Sequence, residues 1–176
     1  MKIKMMIGLS LTVVNIGFAA SNTTLCQADE EVIFSCANKN KKIVSMCASK
    51  PLTATQGTLQ YRFGTKGHIE LAYPADAMSP AKAFEGRAQM FSGGGGVYLR
   101  FKKDKYDYVL YNGIGKGWLM NGLVLFTDSK FTSYFACANR GISEISPQLL
   151  ETLQIPKDAD DKEFFPGDIP SNLISR

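Results

Sequence analysis

Between Glu30 and Cys137 the apolar residues fall at every second position in short runs, and polar or glycine-rich turns break the runs at regular, short intervals. Side chains alternate between the two faces of a strand and recur at about 3.6 residues on a helix, so this period belongs to strands. Leu59, Tyr61 and Phe63 alternate with Thr58, Gln60 and Arg62, and Gly64-Thr65-Lys66-Gly67 supplies a turn. Ile69, Leu71 and Tyr73 return as the matching apolar side, opposite His68 and Glu70, and Pro74 ends the run. Further on, Val97, Leu99 and Phe101 face one way while Tyr98, Arg100 and Lys102 face the other. Strands at this spacing predict an all-β fold, an antiparallel barrel or sandwich of about eight strands.

The ends differ in kind. Ser146-Pro147 opens a short C-terminal helix with Ser as N-cap and Pro at the first helical position. From Pro156 onward Asp158, Asp160, Asp161, Pro166, Gly167 and Pro170 describe a loose, acidic tail that Phe164-Phe165 would anchor. At the other end, Lys2 and Lys4 precede an apolar stretch from Met5 to Phe18 that closes on Ala19-Ala20. Basic, apolar and small-residue parts in that order are a secretory leader, and the apolar part falls short of the roughly 20 residues that a spanning helix needs. The domain reading is therefore a leader at 1–19, a β domain at 20–145, and a helix with a flexible tail at 146–176. Losing the leader removes two lysines and no acid, so 20 basic and 16 acidic residues become 18 and 16. A near-neutral chain lacks the clustered positive excess of a nucleic-acid binder.

Export makes the four cysteines, Cys26, Cys36, Cys47 and Cys137, candidates for two disulfides, with three connectivities open. Pairing β-prone Glu31–Cys36 with Ile43–Cys47 around Asn38–Lys41 puts Phe34, Cys36, Ile43 and Cys47 on one face. A zinc site is the weaker reading, because no Cys-x-x-Cys occurs and His68 is the one histidine. No cofactor motif is present. The run Gly93–Gly96 lacks the lysine and hydroxyl of a phosphate loop and lies between strands, which reads as a bulge or flat turn where another backbone passes closely. Asn112–Gly117 reads as a mobile, exposed loop.

Catalytic residues do not assemble. His68 with Glu70 two residues on is the best hydrolase pair available, and no sequence signature brings a nucleophile to it. Asp104 and Asp107 read as surface charges. Tyrosine and arginine dominate binding hot spots, so Tyr98, Arg100 and Tyr111, with Ser92, Gly93 and Lys116 in the glycine-rich turns, are the candidate binding residues.

Two blocks carry a likeness. Val44–Ser49 with Tyr61-Arg62-Phe63-Gly64, and Gly93–Phe101, resemble a family of small exported proteobacterial proteins of unassigned function, over about Cys36 to Cys137. A looser likeness is to the periplasmic inhibitors of c-type lysozyme, small antiparallel barrels with an early and a late cysteine. A Ser-Gly-x-x-Tyr loop and a Lys-Gly loop of those proteins enter the lysozyme cleft. Here Cys36, Cys137, Ser92-Gly93 and Lys116-Gly117 match, while Tyr98 lies too far from Ser92. These likenesses and the missing catalytic set point to a non-catalytic periplasmic or secreted binding protein. It would be an inhibitor or immunity protein occluding a wall- or membrane-degrading enzyme, with a lysozyme or toxin-like hydrolase as partner and without stable membrane insertion. The alternatives are a small hydrolase and a structural or glycan-binding envelope protein.

Overall fold

The structure is a computed structural model and describes residues 23–138 and 141–159. The expected leader and the tail beyond 159, with Phe164-Phe165, lie outside the described residues. Among the described residues the strands form two antiparallel sheets that pack as a sandwich, with no closed barrel. The first sheet takes β1 (Glu31–Ala37), β2 (Ile43–Ala48), β3 (Leu59–Thr65) and β4 (His68–Tyr73) in sequence order. After α1 (Pro80–Ala83), the second sheet is a simple meander: β5 (Glu85–Phe91), β6 (Gly94–Lys103), β7 (Tyr106–Gly115), β8 (Trp118–Thr127) and β9 (Lys130–Ala136). The two-residue β10 (Ile142–Ser143) then crosses back to pair with β1, and α2 (Pro147–Thr152) follows.

The alternation read from the sequence fills the core. Phe34, Val44, Met46, Leu59 and Tyr61 from the first sheet meet Val97, Leu99, Phe101, Leu110, Leu123 and Phe135 from the second. Phe101 is the hub, with Tyr73 stacked at 4.3 Å and Tyr108 at 4.6 Å between ring centroids. Ser146 caps α2 as its sequence predicts, its side chain accepting from the Leu149 N–H at 3.2 Å. Leu150 and Leu153 dock on the same core.

Two disulfides resolve the open connectivity, Cys26 to Cys47 and Cys36 to Cys137. The expected face of the first hairpin is corrected. Ala37 pairs with Ile43 and Cys36 with Val44, because the turn spans Asn38–Lys42, one residue more than the pattern implied. A one-residue slip moves every side chain of a strand to the other face. Cys36, with Phe34, therefore points into the core toward Cys137, while Ser45 and Cys47 point outward. The outward set holds the N-terminal segment against the first sheet. Cys47 is bonded to Cys26, the Ser45 hydroxyl accepts from the Leu25 N–H at 3.0 Å, and the Ser35 hydroxyl donates to the Thr23 carbonyl at 2.8 Å.

Arg62 completes that attachment. Its guanidinium grips Glu30 with two parallel bonds, Nη1 to Oε2 at 2.6 Å and Nη2 to Oε1 at 2.7 Å, and also reaches the Leu25 carbonyl at 3.0 Å. Ile69 departs from its expected apolar role: it is exposed, because the β3–β4 register shifts between Phe63 and Gly64.

Candidate functional site

The candidate binding residues separate into two places. Ser92, Gly93 and Lys116 come together at one end of the second sheet. Ser92-Gly93 is the two-residue turn joining β5 to β6, with Gly93 at φ +90°, and Lys116-Gly117 joins β7 to β8, with Gly117 at φ +80°. The Lys116 N–H donates to the Gly93 carbonyl at 2.8 Å and ties the two turns side by side.

The bulge or flat turn expected at Gly93–Gly96 keeps only Gly93 in a turn, the other three being regular strand, and Asn112–Gly117 is not the exposed loop its composition implied. Gly94, Gly95 and Gly96 pair with Phe91, Met90 and Gln89 on one side and with Gly115, Ile114 and Gly113 on the other. Asn112–Gly115 is likewise the last part of β7, paired with β6 and β8. The absence of side chains serves packing. A Cβ on Gly115 would fall 2.2–2.3 Å from Cε2, Cζ2 and Nε1 of Trp118, and one on Gly94 would fall 2.6 Å from the same Cζ2. The indole therefore lies flat across a floor of two glycines, which is the close approach that glycine in a strand permits.

On the opposite face of the same tip, Met90, Gly95, Ile114 and Leu119 stand in one row across four strands. This row continues the core-facing side of β6, since Gly95 precedes Val97 by two residues. Yet Met90 is 88% and Ile114 64% exposed. Strands β6, β7 and β8 have ten residues each, against six or seven in β1 to β4. The surplus of three or more residues corresponds to about 10 Å of strand. It shows at this end as a blade with exposed apolar side chains on one face and a half-buried tryptophan on the other.

Tyr98, Arg100 and Tyr111 are not displayed for binding, which corrects the exposed role expected of them. They lie on the outward face of the second sheet but are buried: Tyr98 and Tyr111 belong to a second cluster with Val109, Met120, Val124 and Phe126, and Arg100 is a buried charge on the same face. The group that sequence reasoning missed is Asp158. It is 3% exposed, and its Oδ2 accepts from the Tyr98 hydroxyl at 2.9 Å and from Arg100 Nη1 at 2.6 Å. Asp107 is no surface charge either, since its Oδ1 lies 3.5 Å from Arg100 Nε. Burial, and then the hydrogen bond to Asp158, push the Tyr98 hydroxyl far above the ordinary tyrosine range; burial does the same to Tyr111. The start of the expected loose tail is thus fixed. Gly86 donates to the Pro156 carbonyl at 3.0 Å and accepts from the Asp158 N–H at 3.2 Å, which lays 156–158 along the edge of β5.

Other chemistry finds little geometry here. Glu70 is paired with Lys42 rather than aimed at His68, which stands exposed at the start of β4. Among the described residues, Cys26, Glu30 and Cys47 are grouped like metal ligands, but the sulfurs form a disulfide and the carboxylate is held by Arg62. A recess of about 240 Å³ lies at the α1 side of β6, bordered by Tyr73, Lys82, Phe84, Lys102 and Pro156. No described helix is long and apolar enough to cross a membrane, and two disulfides fit an oxidising compartment. No family model, curated protein or solved structure matches the chain.

Proposed function

We propose that this is an exported, non-catalytic binding protein. It acts by placing the tip of its second sheet in the active-site cleft of a cell-wall- or membrane-degrading enzyme, as an inhibitor or immunity protein. The observation that carries the reading is the pair of turns, Ser92-Gly93 and Lys116-Gly117, tied side by side at the end of the long strands beside exposed Met90 and Ile114. A convex, rigid, partly apolar projection is the complement of a cleft, and enzyme clefts are concave and mostly apolar. Continuous pairing of β6, β7 and β8 to their tip and the Lys116–Gly93 bond support rigidity there, which limits the ordering cost of binding.

The leader at 1–19 and a periplasmic or secreted location belong to the same reading. A hydrolase built on His68 and Glu70 has less support, because Lys42 already engages Glu70. The test is titration of the purified mature protein into c-type lysozyme and into a panel of muralytic hydrolases and phospholipases, with residual activity measured. Stoichiometric loss of one activity, weakened by Ser92→Ala with Lys116→Ala, supports the reading. Full activity throughout the panel rejects it.

A further inference from the structure

Resting on that reading of the tip, we infer that its energetic anchors are Met90 and Ile114, and that the partner receives them in a slot with apolar walls and an acidic mouth. The row Met90, Gly95, Ile114, Leu119 is set by the β5–β6–β7–β8 register and continues the core-facing side of β6. A Cβ on Gly95 would meet Met90 Sδ at 2.6 Å, so the methionine side chain lies across the glycine toward Ile114. At 88% and 64% exposure the two have most of their contact area still to bury. A fully buried aliphatic side chain carries far more binding free energy than a rim cation such as Lys116, whose ion pair with a partner would be exposed and screened.

The glycines beneath Trp118 keep the opposite face flat, because the indole lies on the backbone instead of standing away from it. The shape is a thin wedge, which fits a slot better than an open bowl. Charge selects the mouth of that slot. Residues 86–103 and 108–127 contain no aspartate or glutamate, while Lys116 stands in one of the two turns of the tip. A carboxylate-rimmed cleft therefore meets no like charge on the tip, whereas a basic one meets the lysine.

The experiment compares wild type with Met90→Asp/Ile114→Asp and with Ser92→Ala/Lys116→Ala. The probes are c-type lysozyme, the hydrolase panel, purified peptidoglycan sacculi, and vesicles of phosphatidylcholine with phosphatidylglycerol. All of these positions are exposed, so each variant is first checked for unchanged thermal unfolding. Trp118, the single tryptophan, reports tip burial by a blue shift of its emission.

For an enzyme inhibited by wild type, the apolar double variant is expected to lose at least about 100-fold in affinity, or about 10-fold per anchor. The polar double variant should lose less than about tenfold. If the polar pair carries the loss and the apolar pair does not, the anchor assignment is wrong and the occluding function stands. Binding to sacculi or vesicles with no enzyme bound overturns both, as does silence with every probe.

Discussion

Gly115→Ala tests whether the glycine-rich strands exist to seat Trp118. Gly115 does not require positive φ, so on backbone grounds alone alanine in a strand should stabilise by about 0.5–1 kcal/mol. The packing argues the other way. The new methyl would sit 2.2–2.3 Å from Cε2, Cζ2 and Nε1 of Trp118, whereas carbon atoms rest at about 3.5–4.0 Å. The ring must rise by more than 1 Å, and overpacking of this kind costs about 1–3 kcal/mol. The net expectation is a loss of roughly 1–2 kcal/mol, with the indole moved toward water.

Urea unfolding gives the stability. Emission wavelength and acrylamide quenching of the single tryptophan give the displacement. Gly93→Ala is the control: nothing lies within 4 Å of its new Cβ, but its φ of +90° strains alanine. It should lose a similar stability, about 1–2 kcal/mol, and leave the folded-state emission unchanged. Unchanged emission and stability in Gly115→Ala, or an equal spectral shift in Gly93→Ala, refutes the seating argument.

Three further outcomes follow from the attachments of the chain ends. Removing the Cys36–Cys137 bridge, which spans 101 residues, should cost about 4–5 kcal/mol, and removing Cys26–Cys47, which spans 21, about 3–3.5 kcal/mol; paired Cys→Ala variants unfolded in urea give both values. Burial pushes the Glu30 carboxyl up, but hydrogen bonds from Arg62 and the Gln27 N–H outweigh it and hold the group below its ordinary value of 4.5. Its folded pKa is thus depressed, so its contribution is present above that ordinary value and lost as pH falls through the folded pKa. Melting temperature should drop through that acid window by less in Glu30→Gln than in wild type. Asp158→Asn should free 156–158 and speed hydrogen exchange at the Gly86 amide. The stability loss should be about 2 kcal/mol rather than the 3–5 of a fully broken buried pair, because Asp107 still lies 3.5 Å from Arg100.

Period-two alternation made the core legible: Leu59, Tyr61, Val97, Leu99 and Phe101 point inward as their sequence pattern requires. The cap at Ser146 was equally readable, since it is a local interaction three residues long. What depends on a single inserted residue was not. The longer turn at Asn38–Lys42 reversed the outlook of Ile43 and Cys47, and nothing in a β-prone run announces its register. Nor did composition reveal that the outer faces are occupied. Arg62 and Arg100 occupy positions that alternate with core residues, so they read as solvent-facing, but each takes a carboxylate from a distant segment, Glu30 and Asp158. Glycines invite a loop assignment because of their freedom. Here their small size decides, which appears only when Trp118 is seen above Gly94 and Gly115. The turns at Ser92-Gly93 and Lys116-Gly117 were each visible in the sequence, while the bond between them, and the exposure of Met90 and Ile114 beside them, came from pairing four strands.

The central claim is that the tip enters an enzyme cleft, and a joint titration tests it most directly. Purified mature protein is added to each hydrolase of the panel while residual activity and Trp118 emission are followed in the same cuvette. The account expects one enzyme to lose activity at a 1:1 ratio, with the emission shift saturating at that same ratio. Inhibition with no change in Trp118 emission, or no inhibition of any hydrolase, contradicts it.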